Sequence, residues 1–219
     1  MKYWFKLALY LFVFIGFSAS KAGSYEDFFK AIARDDVDGI TQLLARGFDP
    51  NTVNPKGVPG LLIALQEPSP KVAAVLLEHP DLEVEVRTAQ DESPLMLAAL
   101  RGYTELCAKL IERDADVNKP GWAPLHYAAT NSHIAIMQLL LDNHAYIDAA
   151  SPNGSTPLMM AAMYGNASAV KMLLEAGADP TLKNGIGLTA IDFANRVKKA
   201  ESVEILAAFI RARRAKGSW

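Results

Sequence analysis

Residues 154–166 read Gly-Ser-Thr-Pro-Leu-Met-Met-Ala-Ala-Met-Tyr-Gly-Asn, and residues 169–180 read Ala-Val-Lys-Met-Leu-Leu-Glu-Ala-Gly-Ala-Asp-Pro. Together they spell two helices joined by a turn. Thr156 is placed to cap the first helix, because its hydroxyl can accept one of the orphan amides at a helix start. Pro157 follows at the first helical position, where a missing N–H costs nothing. Leu158, Ala161 and Ala162 then fall on one face at helical spacing, and the alanines are small enough for a neighbour to approach closely. Val170, Leu173 and Leu174 make a second stripe. Gly165 and Gly177 stand where each helix should stop, and each is expected to take the left-handed C-cap conformation. A unit this small cannot bury both stripes, so it requires copies on either side.

The copies are present. With Leu158 as reference, the equivalents are Phe28, Leu61, Leu95, Leu125 and Ile191, at steps of 33, 34, 30, 33 and 33 residues. Three residues past each reference stands an alanine: Ala31, Ala64, Ala98, Ala128, Ala161 and Ala194. Fifteen and sixteen residues past it stand Leu43-Leu44, Leu76-Leu77, Leu110-Ile111, Leu140-Leu141, Leu173-Leu174 and Leu206-Ala207. Six registers in phase predict stacked helix pairs rather than a single closed core.

The pattern resembles the ankyrin repeat, with its period of about 33 and its Thr-Pro-Leu-His-x-Ala core. Besides the fifth copy, Gly121–Ala129 (Gly-Trp-Ala-Pro-Leu-His-Tyr-Ala-Ala) and Ser93–Gly102 (Ser-Pro-Leu-Met-Leu-Ala-Ala-Leu-Arg-Gly) carry it most clearly. The resemblance implies an all-α ankyrin-repeat solenoid of about six helix–turn–helix repeats with short β-hairpin loops. It would occupy residues 23–219, with repeats near 24–52, 53–85, 86–118, 119–148, 149–182 and 183–216.

Several copies depart from the pattern. The first replaces Thr-Pro-Leu by Tyr25, Phe28 and Phe29 and is strongly polar at Arg34–Asp36, as an end repeat with one soluble face should be. In the second, Glu67-Pro68-Ser69-Pro70 replaces the glycine turn; Ser69 is expected to cap the next helix and Pro70 to occupy its first turn. The fourth copy lacks three residues between Asn118 and Leu125, which predicts a notch between taller fingers with Trp122 at its edge. The sixth is polar and runs into Arg211, Arg213, Arg214 and Lys216, cations suited to a helix C-terminus. An anionic membrane or acidic partner is the alternative use of that charge.

The chain of 219 residues carries 22 Lys and Arg against 24 Asp and Glu, a formal charge of −2. That balance does not suggest a nucleic-acid binder. The single cysteine, Cys107, cannot form an internal disulfide and is expected to be a small buried thiol. Residues 1–22 read as a signal peptide rather than as part of the fold. Lys2 and Lys6 form a basic start, Leu7 to Phe17 is uncharged, and Ser18-Ala19-Ser20 supplies small residues for cleavage after Ser20 or Ala22. An uncleaved anchor is the alternative, and only then would a membrane be a partner. The mature domain is thus expected to be periplasmic or secreted. Two sequons, at Asn153 and Asn166, read as turn chemistry within the repeat.

No constellation for chemistry emerges. The resemblance gives His126 a bracing role at the hairpin and makes His133 a family position, while His144 stands at a C-cap site where Gly47 and Gly177 stand elsewhere. No His, Cys or Asp set has zinc spacing. Gly185-Ile-Gly187 reads as a hairpin turn, and neither a nucleophile elbow nor a phosphate loop occurs. Catalytic residues, cofactor and metal are therefore all expected to be none, and the protein is expected not to be an enzyme.

The positions left over by the repeat should carry function. The resemblance implies that partners are contacted by the ends of the first helices and by the fingers. On the helices these are Gln66, Glu67, Leu100, Arg101, Thr130, Asn131, Met163, Tyr164, Arg196 and Val197. On the fingers they are Lys56, Gln90, Glu92, Trp122, Asn153 and Ser155. Leu100, Arg101, Trp122, Met163 and Tyr164 form the central set, with the residue types that dominate interface energies. The implied role is a non-enzymatic module in a bacterial periplasm that inhibits, neutralises or supports another protein, such as an envelope enzyme or a toxin. An exported effector binding host proteins is the alternative, and a catalytic role centred on His126 is the reading from a different class.

Overall fold

The structure is a computed structural model that describes residues 23–215, with side chains to residue 213. The signal-peptide expectation for residues 1–22, and those for Arg214 and Lys216 as charged side chains, lie outside the described residues. Among the described residues every regular element is helical, and no helix is long and apolar enough to cross a membrane. The chain divides into two compact units, one ending at Glu83 and one beginning at Val84.

The first unit holds α1 (23–33), α2 (Val37–Ala45), α3 (Gly60–Gln66) and α4 (Pro70–Leu77). Its core contains both reference residues, Phe28 and Leu61, with Ile32, Ile40, Leu65 and Leu76. Phe48 and Phe29 pack their rings on Phe28 at 4.9 and 5.2 Å. Ser69 precedes α4 but does not cap it. Its hydroxyl is buried and donates to the Ile32 carbonyl at 2.7 Å, while the Val72 amide is taken up by Asp35 Oδ1 at 2.8 Å. The cap expected from Ser69 is therefore supplied by Asp35, 37 positions before the amide it holds.

The second unit holds α5 (Pro94–Arg101), α6 (Thr104–Glu112), α7 (Pro124–Thr130), α8 (Ile134–Asp142), α9 (Pro157–Met163), α10 (Ala167–Glu175), α11 (Ala190–Arg196) and α12 (Ala200–Ala215). First helices stack on first helices, α5 on α7, α7 on α9 and α9 on α11; second helices follow, α6 on α8, α8 on α10 and α10 on α12. Leu95, Leu125 and Leu158 are fully buried, and their counterpart Ile191, in the last pair, is half-buried. Ala98, Ala128, Ala161 and Ala194 have no exposed surface, which lets the first helices approach without a gap. Thr156 caps α9 as expected, accepting the Met159 amide at 3.4 Å.

Gly165 corrects an expectation. The residues at the same offset in other pairs, Asp35, Gly102, Ser132 and Lys198, have φ of 51, 79, 59 and 58°. Gly165 is not left-handed. A Cβ there would lie 2.7 Å from the Ala129 carbonyl oxygen and 2.7 Å from Ser132 Oγ. The glycine is needed for close approach between neighbouring turns, not for a cap conformation. Gly177, by contrast, has the expected positive φ, at 106°.

Three of the fingers are tight turns, each held by one side chain near its base. Asn54 Oδ1 accepts from the amides of Lys56 and Val58, Thr88 Oγ1 from Gln90 and Glu92, and Asn184 Oδ1 from Ile186 and Leu188. The hairpins are so short that the one bridge among the described residues is Val53 with Pro59.

Candidate functional site

In the second unit a cavity of about 220 Å³ opens beside Trp122. Leu100 at the end of α5 and Thr130 at the end of α7 line it, together with Met160 and Tyr164 of the α9 region. Tyr127 and His126 complete the wall from α7. Trp122 meets the His126 ring edge-on, with centroids 5.3 Å apart. The cavity thus carries the rings of Trp122, Tyr127 and Tyr164, the His126 imidazole, and the side chains of Leu100, Met160 and Thr130, and no Asp, Glu, Lys or Arg lines it.

His126 is the brace of this wall. Its Nδ1 accepts the Ala123 amide at 3.1 Å, and its Nε2 lies 3.0 Å from the Ser155 carbonyl, to which it donates in the neutral tautomer. Burial lowers its pKa from the ordinary value, more than its backbone hydrogen bonds restore it. Both nitrogens are engaged with backbone, so the ring has no free position for acid–base work. Among the described residues no group of His, Cys, Asp and Glu could hold a metal ion.

Tyr127 is fixed from the other side. Its hydroxyl donates to Glu92 Oε1 at 3.1 Å, and burial followed by the Glu92 charge pushes the phenol pKa up. Glu92 is half-buried and also accepts from the Thr88 hydroxyl at 3.3 Å. It was expected to face a partner, and it is spent on holding Tyr127 instead.

The other expected contact residues divide into four groups. Leu100, Trp122, Thr130 and Tyr164 are brought together at the cavity, and Tyr164 is 58% exposed. Arg101, Asn131, Met163 and Gln90 flank it in sequence without lining it. Asn131 donates through Nδ2 to the Leu100 carbonyl at 2.8 Å, Met163 is half-buried, and Arg101 and Gln90 are exposed. Asn153 is exposed, yet its Oδ1 accepts from Ser151 and from the Ser155 amide, so it shapes its own finger. Ser155 was expected to project; it is buried, and its hydroxyl has no hydrogen-bond partner among the described residues. Gln66, Glu67 and Lys56 are exposed in the first unit, and Arg196 and Val197 are exposed in the second.

Tyr127 and Met160 were missed. Both lie two residues past their reference leucines, an offset that repeat phase assigns to no role. Aromatic and thioether side chains at neighbouring copies of one offset were the signal that could have found them.

Comparison with known proteins places this geometry. The model of a family described as ankyrin repeats (3 copies) matches residues 28–120 and 114–184. The chain is 29% identical over 166 residues to the human transient receptor potential cation channel subfamily A member 1, covering 70% of this chain and 15% of that protein. It is 30% identical over 154 residues to the mouse B-cell lymphoma 3 protein homolog, covering 67% and 34%. The chain therefore spans a small part of the first and about a third of the second. Among solved structures, the human ASB11 ankyrin repeat domain superposes with a TM-score of 0.76 at 28% identity, covering 83% of this chain and 82% of that one.

Proposed function

This chain belongs to the ankyrin repeat family, and from that premise we propose that it is a non-catalytic module that binds another protein through the face around Trp122 and Tyr164. Ankyrin repeats are protein–protein interaction modules, and repeat folds of this kind present extended surfaces rather than enclosed reaction sites. The observation that carries the reading is the cavity beneath the truncated fourth finger. It gathers Trp122, Tyr127 and Tyr164 with Leu100 and Met160, and aromatic anchors seated in pockets dominate interface energies. The engaged nitrogens of His126 argue against the catalytic alternative.

The finer part of the proposal is location and consequence. The basic, apolar and small-residue succession over residues 2–22 supports export, and a bacterial periplasm is the compartment proposed. There the module would inhibit, neutralise or support an envelope enzyme or toxin. The test is capture of a partner from envelope extract by the full chain, repeated with Trp122→Ala and Tyr164→Ala. Each variant should lose tenfold or more in affinity, as expected for an anchor worth about 2 kcal/mol. Equal capture by both variants would remove this face as the binding site. Fractionation of culture medium, periplasm and cytosol tests location separately.

A further inference from the structure

The lining of the Trp122 cavity favours a particular ligand chemistry. Three aromatic rings, those of Trp122, Tyr127 and Tyr164, face a space of about 220 Å³, below the range of about 300 Å³ upward typical of drug-sized ligands. Aromatic rings attract cations through their quadrupole, tryptophan most strongly. Tyr127 donates its hydroxyl hydrogen to the Glu92 carboxylate at 3.1 Å, which enriches the phenol ring in electron density and sets a negative charge behind it. Asp91 is already taken, by Arg87 at 3.7 Å and by Lys119, whereas Glu92 has no ion-pair partner among the described residues. His126 stays neutral and adds no competing charge.

The same lining also discriminates among cations. An ammonium or guanidinium is strongly hydrated through its N–H groups and gives up that hydration at an apolar wall such as the one Leu100, Met160 and the rings provide. The Tyr127 and Thr130 hydroxyls spend their hydrogens on Glu92 and on the His126 carbonyl, at 3.1 and 2.8 Å, and His126 Nδ1 accepts from backbone. A quaternary ammonium spreads its charge over methyl groups, is weakly hydrated and suits aromatic and apolar walls better. We propose that the Trp122–Tyr127–Tyr164 cavity is a binding site for a trimethylammonium group. This goes beyond the protein-binding reading and stands or falls separately from it. The chemistry is shared by a choline head group and by a trimethylated lysine.

The test is calorimetric titration of the full chain with choline, set against 3,3-dimethylbutan-1-ol, its uncharged isostere, and against ethanolamine, its N–H-bearing counterpart. Choline should bind saturably with one site, and both controls at least about tenfold more weakly, since cation–π attraction is lost in one and the other gives up its stronger hydration at an apolar wall. Tyr164→Leu, at a largely exposed position, should weaken choline binding by a similar factor without altering the melting temperature. Trp122→Leu should abolish it. Phosphatidylcholine vesicles and a trimethyl-lysine peptide then identify the source, according to which binds more tightly than free choline. Equal affinity for choline and its uncharged isostere would overturn the proposal, as would absence of saturable choline binding by a chain whose fold is verified. Loss of partner capture with choline binding intact would count against the protein-binding reading alone.

Discussion

His126 joins its own repeat to the next: Nδ1 holds the Ala123 amide at 3.1 Å and Nε2 reaches the Ser155 carbonyl, 29 residues on, at 3.0 Å. One neutral imidazole therefore satisfies one backbone group on each side of a repeat junction, in a position that is 1% exposed. His126→Ala leaves the Ala123 amide unpaired and the Ser155 carbonyl with the Ser151 amide alone, at 2.9 Å. We expect a loss of about 1–3 kcal/mol in unfolding free energy by denaturant titration. A variant as stable as the parent would mean that the junction is held by packing alone.

The same residue sets a pH dependence. Its folded pKa lies below the ordinary value of 6.5, so the unfolded chain binds the proton more readily. The contribution is intact above that ordinary value and is lost as pH falls through the lowered folded one. Protonation also places a hydrogen on Nδ1, where the ring now accepts. The melting temperature of the parent should fall on acidification from pH 7 through 6 and 5, and His126→Gln should flatten that slope.

Gly165 and Gly177 separate two reasons for glycine. At Gly165 a Cβ would meet the Ala129 carbonyl, which is backbone, and the Ser132 hydroxyl, both at 2.7 Å, and the hydroxyl could turn away only by releasing the Asn166 amide. At Gly177 nothing lies within 4 Å, and the constraint is the φ of 106°. Gly165→Ala should therefore cost about 1–3 kcal/mol as overpacking. Gly177→Ala should cost about 1 kcal/mol as backbone strain. Thermal denaturation of the two variants decides the order.

These glycines also mark how far the residue pattern alone could be read. Leu95, Leu125 and Leu158 were legible as core because burial recurs with the repeat. Gly165 was not, because a glycine after a helix suggests a left-handed cap unless the neighbouring turn is known. Ser69 and Asp35 exchange roles for the same reason: the amide that Asp35 caps lies 37 residues away. At the site, Leu100, Trp122, Thr130 and Tyr164 followed from repeat phase and the missing finger residues. Glu92 did not, since its use depends on the length of the Tyr127 side chain reaching across from another repeat.

Cys107 provides a check on packing at the centre of the α6 stripe. The thiol is fully buried, and burial, with a smaller effect of Glu105, raises its pKa from 9.0 to about 12. The thiolate is the reactive species, so the native chain should not react with a thiol reagent at pH 8. Modification should proceed only as fast as the region opens, and denaturant should restore the full rate. Rapid labelling of the native protein would contradict the packing of α6 against its neighbours.

A ladder of polar side chains ties successive repeats where each second helix leads into the next finger, and Asp148 is the rung that carries a charge. Asn118 accepts the Tyr146 amide at 2.7 Å and donates to the His144 carbonyl at 2.8 Å. Asp148 accepts the Asp179 amide at 3.1 and 3.2 Å but has nothing to donate. Burial raises its pKa above the ordinary 3.8, only partly offset by the Asp179 amide, while the Asp179 charge adds to the rise. A raised folded pKa means that this group stabilises the fold at low pH and ceases to do so as pH rises through that value. Asparagine keeps the acceptor and removes the charge. Asp148→Asn should hold or raise the melting temperature at pH 7, and it should lose the parent's gain in stability on acidification just above the ordinary carboxylate range. A lower melting temperature at pH 7 would show that attraction to Arg213, whose guanidinium lies 4.0 Å from Asp179, outweighs desolvation at this rung.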